Sequence, residues 1–167
     1  MAHSVIQHLT YNLWANERLG HLLMAQDEAI LNAEQKSSFT TISKTVFHIW
    51  DAELIWLTRL NGNSLNDWPS KSFTGTKAEM LHGLIKNSTA LLNYVREKDE
   101  SFLTQTIAYK NIKGDPFTST AEEILFHVVN HSTYHRGQII ALLHSAGAKQ
   151  MVSTDLINWF REQRKGS

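Results

Sequence analysis

Residues 119–147 read STAEEILFHVVNHSTYHRGQIIALLHSAG, and this stretch decides the fold. Ser119-Thr120-Ala121-Glu122 has the form of a capping box, in which a hydroxyl and a carboxylate each accept a bond from an otherwise unpaired amide of a helix's first turn. From 120 to Arg136 there is neither glycine nor proline, and the run continues to Ser145, with Gly147 placed to stop it. Leu125, Val129, Ile140 and Leu143 form an apolar face. Ile124, Gln138 and Leu142 share the opposite face with His127, His131 and His135, so this helix is predicted to be buried nearly all round.

Three more long helices extend outward from it. In residues 3–26, Val5, Leu9, Leu13, Leu19, Leu22 and Leu23 recur at mixed spacings of three and four, the period of an amphipathic helix. A second runs through Phe39, Ile42, Val46, Ile49, Trp50 and Leu57, with Thr40 or Ser37 as its cap and Asn61-Gly62-Asn63 as its end. The stretch 61–75 reads as a connecting loop covering a bundle end, and Thr76-Lys77-Ala78-Glu79 is a further capping box that opens a third helix near Lys77. Between Thr104 and Thr118 the period shortens toward two around Lys113-Gly114-Asp115, which predicts a short hairpin. Ser153-Thr154-Asp155 opens a short last helix through Ile157, Trp159 and Phe160, and the tail RKGS is expected to fray. Four long helices bury their apolar faces most simply as an all-α four-helix bundle in a single domain, 1–167, with the short helix packed outside.

Composition removes several classes of function. Sixteen Lys+Arg balance sixteen Asp+Glu in 167 residues, so no global field favours nucleic acid or an anionic membrane. The absence of cysteine removes disulfides, thiolate metal sites and cysteine nucleophiles, so any thiol chemistry needs a thiol from outside. No apolar run approaches a membrane span, and the N-terminal MAHSVIQHLTYNLW lacks a signal-peptide pattern, from which a soluble cytoplasmic protein is expected. Tyr11, Trp14, Trp50, Trp56 and Trp159 are read as core or interface residues.

Nine histidines stand out. His127, His131 and His135 drift by only about 40° per step of four residues, so they share one helix face. Buried imidazoles are costly unless their nitrogens are bonded or coordinated, and metal binding resolves that cost. His127 and His135 lie about 12 Å apart along the axis, too far to serve one ion together with His131. The site therefore uses one adjacent pair, and we read His131 and His135 as that pair, plus a ligand from another element. His48 is the best-placed candidate; His8, His21, His82 and His144 are placed less well. On its own helix His48 lies about 160° from the strongest apolar arc, with Thr41, Lys44, Asp51 and Arg59, which fits a solvated strip and the polar wall of a pocket equally. His-Glu-x-x-His is absent, because Val128 and Ser132 follow the first two histidines of the stripe. A di-iron Glu-x-x-His is absent as well, because Leu125 and Phe126 stand where the histidine would follow Glu122 and Glu123.

The segment from His127 through His131, His135, Arg136, Gly137 and Gln138 resembles the signature helix of the DinB-like superfamily of damage-inducible metalloproteins. Tyr11-Asn12-Leu13-Trp14-Ala15-Asn16-Glu17-Arg18-Leu19 resembles that family's first helix, and His48-Ile49-Trp50-Asp51-Ala52-Glu53 with Trp56 its second. The resemblance implies an up-down-down-up bundle holding one divalent metal on His48, His131 and His135, with zinc or nickel ranked first and iron third. His127 becomes a supporting or pocket residue. It also implies a metal-dependent S-transferase or hydrolase that uses a low-molecular-weight thiol or water on a small electrophile.

Three neutral imidazoles leave open positions on an ion, as in catalytic sites. Asp51, one turn from His48, is a candidate to orient an imidazole, and Glu53, Asn16 and Tyr134 are candidates for the pocket. Two readings from other classes stand beside the enzyme: a non-catalytic metal- or ligand-binding stress-response protein, and a purely structural helical dimer. A homodimer is expected because the second and fourth long helices are apolar on more of their circumference than one core covers, with Trp50 and Trp56 as contributors.

Overall fold

A computed structural model describes residues 2–111 and 113–165. Its helices are α1 (Ala2–Met24), α2 (Glu28–Asn32), α3 (Ile42–Leu60), α4 (Pro69–Ser72), α5 (Lys77–Arg96), α6 (Ala121–Ser145) and α7 (Leu156–Lys165), and strands β1 (Thr106–Lys110) and β2 (Pro116–Thr120) precede α6. α1 and α3 each pack on both α5 and α6. α1 and α3 are therefore diagonal in the bundle.

The core has two apolar clusters. One holds Val5 and Leu9 of α1, Leu60 of α3, Leu91 and Val95 of α5, and Ile124 and Val128 of α6. The other holds Leu19 and Leu23, Ile42 and Ile49, Leu81 and Leu84, and Ile139 and Leu143. α1 and α6 run from the first cluster to the second, and α3 and α5 run the opposite way, which gives the expected up-down-down-up order.

Between the clusters every long helix contributes buried polar residues: Asn12 and Asn16, Glu53, Asn87 and Ser88, and Ser132 and Arg136. Glu53 and Arg136 are both 0% exposed. Oε1 of Glu53 accepts from Asn12 (2.7 Å), Asn16 (3.0 Å) and Ser132 (3.2 Å), while Oε2 accepts from Ser88 (2.6 Å). Nη1 of Arg136 donates to the side-chain oxygens of the same two asparagines at 2.7 and 2.8 Å, and Nη2 donates to Thr133. The two charges are thus joined through asparagine amides that accept on one side and donate on the other.

Element boundaries differ from the sequence reading in informative places. The second long helix starts at Ile42, capped by Thr41, whose hydroxyl accepts from the Lys44 amide at 3.1 Å, rather than by Thr40 or Ser37. Phe39 therefore lies in the preceding loop, not on the helix. The box opening α6 is Thr120 with Glu123, one residue later than Ser119 with Glu122, because the hairpin keeps the chain extended through Thr120, opposite Thr106, and the helix begins only at Ala121. The hairpin forms as predicted, closed by Asn111, whose side-chain oxygen accepts from the amides of Lys113 and Asp115. Two short helices were not expected: α2, between the first and second long helices, and α4, inside the 61–75 loop and opened by Pro69 at its first position.

At the end of α6, Gly147 adopts φ 81° and the Ala148 amide reaches back to the Leu143 carbonyl, the left-handed cap that glycine makes cheaply. α7 packs outside the bundle on α1, where Tyr11 donates to the Thr154 carbonyl and Trp14 and Arg18 meet Glu162. Arg164 and Lys165 continue α7 instead of fraying, and Gly166 and Ser167 lie outside the described residues. Among the described residues no helix is long and apolar enough to cross a membrane.

Candidate metal centre

α3 and α6 pack side by side, and this contact brings His48 to His131 and His135. One nitrogen from each ring lies within 4.8 Å of the others, so the three form a group that could hold a metal ion. Nε2 of His48 and Nε2 of His131 are 3.0 Å apart, and His135 is 4.5 and 4.4 Å from the two rings by centroid. Ligands at about 2.0–2.1 Å from one tetrahedral ion lie about 3.3 Å from one another, so small ring movements would complete the geometry.

Electrostatics favour neutral rings. Burial pushes His131 down to about 3, helped by the neighbouring imidazoles, and His48 down to about 4, helped by His135. His135, only 6% exposed, is also lowered by burial, while its bond to Gln138 opposes the shift. Neutral imidazoles present lone pairs at neutral pH, which is the state a metal requires. Nδ1 of His135 lies 2.7 Å from Oε1 of Gln138; donation along that contact leaves Nε2 as the ligand atom. Gln138 in turn donates to the Tyr134 hydroxyl at 3.1 Å. Nδ1 of His131 is buried and has no partner. A polar group so placed is costly unless the ring is held by something else.

The outcome for the other candidates is mixed. His127 stays out of the triad, 5.7 Å from the His131 ring by centroid, and lines the adjoining cavity of about 430 Å³ with His48, His131 and Trp56. That cavity settles the open question about His48: it belongs to the polar wall of a pocket. Asp51 does not orient an imidazole. Its carboxylate accepts from the Ser70 amide at 3.0 Å, because α4 folds back over this part of α3, and burial raises its pKa. Glu53 and Asn16 are not pocket residues; both belong to the buried layer behind the triad. Tyr134 is 62% exposed and borders the site only through His135 and Gln138.

Two contributors escaped the sequence reading. Phe39 stacks on His48 at 4.2 Å and meets His135 edge-on at 5.6 Å, covering the triad from the loop before α3. Its apolar character fitted the helical period of the next element and so concealed it. Gln138 was placed on the histidine face, and its spacing of three from His135 was the signal for a side-chain contact. Trp50 and Trp56 make contacts within the chain: Trp50 lies against Phe47, Phe73 and Gly83, where a Cβ would overlap the indole, and Trp56 against Tyr109 and His127.

An up-down-down-up bundle with three converging imidazoles on two adjacent helices, beside an open cavity, defines a class of helical proteins with a candidate metal site. The DinB family model matches residues 1–165, and the chain belongs to the DinB family. It is 31% identical to Protein DinB of Bacillus subtilis strain 168 over 144 residues, 82% of this chain and 83% of that protein. Among solved structures, a DinB-like protein from Bacillus cereus ATCC 10987 superposes with a TM-score of 0.68 at 21% identity, covering 89% of this chain and 95% of that one. YfiT from Bacillus subtilis, described as a probable metal-dependent hydrolase with an unusual four-helix bundle topology, gives a TM-score of 0.68 at 16% identity over 87% of each chain.

Proposed function

We propose that this protein is a metal-dependent enzyme in which His48, His131 and His135 hold one divalent ion, and that it catalyses S-transfer or hydrolysis on a small electrophile. The observation that carries the reading is the convergence of three imidazoles, two of which, His48 and His131, line a cavity. Zinc and nickel suit an all-imidazole set best, with iron behind them. When bound, such an ion supplies Lewis acidity, lowering the pKa of a water or thiol so that it is nucleophilic near neutral pH. Because the chain has no cysteine, the thiol is a low-molecular-weight cosubstrate.

The protein's own groups divide the remaining work. Phe39 screens the triad from solvent on one side, and Gln138 fixes the His135 ring. His127, the histidine of the cavity wall that lies outside the triad, is the group we assign to accept a proton from an incoming nucleophile. The proposed partner is a small molecule rather than nucleic acid or membrane, in a cytoplasmic setting, with the chain acting as a homodimer.

The test is metal analysis of untagged protein followed by turnover of a panel of electrophiles with and without added thiols. Stoichiometric metal and thiol-dependent turnover support a transferase, and thiol-independent turnover supports a hydrolase. A second reading, a non-catalytic metal- or ligand-binding stress-response protein, draws on the cavity wall itself, where the one carboxylate, Asp51, is engaged by Ser70. Metal without turnover selects it; no metal at all overturns the metal-dependent enzyme. Sedimentation at micromolar concentration tests the dimer, and a mass near 19.1 kDa removes it.

A further inference from the structure

The cavity beside the triad continues along α3 to Arg59, and Arg59, Ile55, Trp68 and Asn111 also line a second cavity of about 390 Å³ beyond it. Arg59 thus stands where the two spaces meet, far down the groove from the histidines. Centroid steps of 5.7 Å from His131 to His127 and 5.5 Å on to Trp56, with 4.6 Å from Trp56 to the guanidinium carbon, bound the separation at about 16 Å.

The guanidinium is held in place but not neutralised. It is half-buried, sits over the rings of both Trp56 and Tyr109, and donates from Nη2 to the Lys110 carbonyl at 2.8 Å. Among the described residues the ion pair within 4 Å is Arg18 with Glu162, so Arg59 has no carboxylate partner there. Asp51, the carboxylate of the same wall, is taken by Ser70, and Lys113 adds a second positive group at the mouth. A half-buried cation with spare donors, held against two aromatic rings, is a preformed seat for an anion, and the planar fork matches a carboxylate. Between this seat and the triad Ala52, Ile55 and Trp56 line the wall beside His127, and their apolar surface suits a hydrocarbon stem.

We propose that Arg59 is a specificity-determining residue: the groove takes an elongated ligand whose reacting end lies at the histidine triad and whose far end is a carboxylate held by Arg59. The proposal rests on the reading of the triad as a metal centre. The carboxylate belongs to either the electrophile or the thiol cosubstrate, since both share this chemistry.

The experiment is calorimetric titration of zinc-loaded protein with ω-mercaptoalkanoates from mercaptoacetate to mercaptoundecanoate, each paired with the mercaptoalcohol of equal length. The acids should bind about as well as the alcohols while the chain is short, then roughly tenfold more tightly once it reaches Arg59. R59Q should abolish the difference, and R59K should retain part of it, with circular dichroism confirming that each variant is folded. Equal binding of acids and alcohols at every length in the unaltered protein overturns the proposal, as does an acid preference that survives R59Q. If neither thiol series binds the zinc-loaded protein, the reading of the triad as a thiol-binding metal centre fails separately. Octanoate against octanol then tests Arg59 alone: Arg59-dependent preference for octanoate keeps the anion seat, and its absence removes it. Turnover of acid and alcohol forms of one electrophile, with a neutral thiol, then identifies which reactant carries the carboxylate: an Arg59-dependent preference for the acid electrophile assigns it there, and no such preference assigns it to the thiol.

Discussion

The buried layer of Glu53 and Arg136 and the triad of His48, His131 and His135 stand on the same two helices, and on α6 their members are sequence neighbours: Ser132 follows His131, and Arg136 follows His135. Yet the two sets are finished differently. In the layer, both Glu53 oxygens accept bonds and Asn12 and Asn16 relay them to Arg136, leaving Nε of that arginine and Nδ2 of Asn87 at its margin unpartnered. In the triad, two nitrogens face each other across 3.0 Å and a third, buried, has no partner. A polar group whose bonds close within the protein defines the fold, whereas one left open beside a cavity is available to a ligand.

The sharpest way to break this contrast is to remove one charge of the layer. Glu53→Ala or Arg136→Ala strands the opposite charge in the core and should cost about 3–5 kcal/mol in denaturant unfolding. Replacing both with apolar residues of similar volume should cost much less than the sum of the single changes, because no stranded charge remains.

His131→Ala or His135→Ala should have the converse signature. Metal affinity should fall by more than about 100-fold, since a ligand is lost rather than a supporting group, while the metal-free protein keeps its helical circular dichroism and most of its stability. If His127→Ala strips the metal and His135→Ala retains it, the ligand pair is 127 and 131.

Acid should separate the two regions as well. The folded state holds His48 and His131 with pKa values near 4 and 3, against about 6.5 in the unfolded chain, so the unfolded state binds more protons between those limits. Metal-free protein should therefore lose stability as the pH falls from about 6.5 toward 3, with little further loss from these two rings below that. In His131→Ala this acid loss should shrink, as measured by unfolding across a pH series. A smaller effect is expected of Gln138→Leu, which frees the His135 ring while leaving every ligand in place; about 10- to 100-fold in metal affinity is the expected cost, with His127→Ala milder still.

Much of this molecule is written in one-dimensional periodicity. The apolar spacing of Val5 to Leu23, the Thr76–Glu79 capping box and the unbroken run to Ser145 require helices of about the observed lengths, because helix formation and capping act over three or four residues. The same locality made the pair His131 and His135 visible, since residues four apart share a face. Local patterns also misled where a neighbour overruled them: Phe39 continued the period of α3 but was cut from it when Thr41 capped the helix, and Ser119 was drawn into the hairpin.

The pairing of α3 with α6 is another matter. His48 fitted a solvated strip and a pocket wall equally well on its own helix, and only the packing of a helix 83 residues away makes it a partner of His131. Glu53 looked like a pocket residue until Asn12, Asn16, Ser88 and Ser132 converged on it from three other helices, and Arg59 became an unpaired cation at the end of a groove only once the hairpin closed over Trp56. The sequence by itself determined the helices, the absence of a thiol nucleophile and the histidine stripe, because each depends on residues within a few turns of one another. Only the tertiary structure decided which polar groups are satisfied and which are left open, because a hydrogen bond or a ligand set between distant segments exists only when the burial of their apolar faces has brought those segments together.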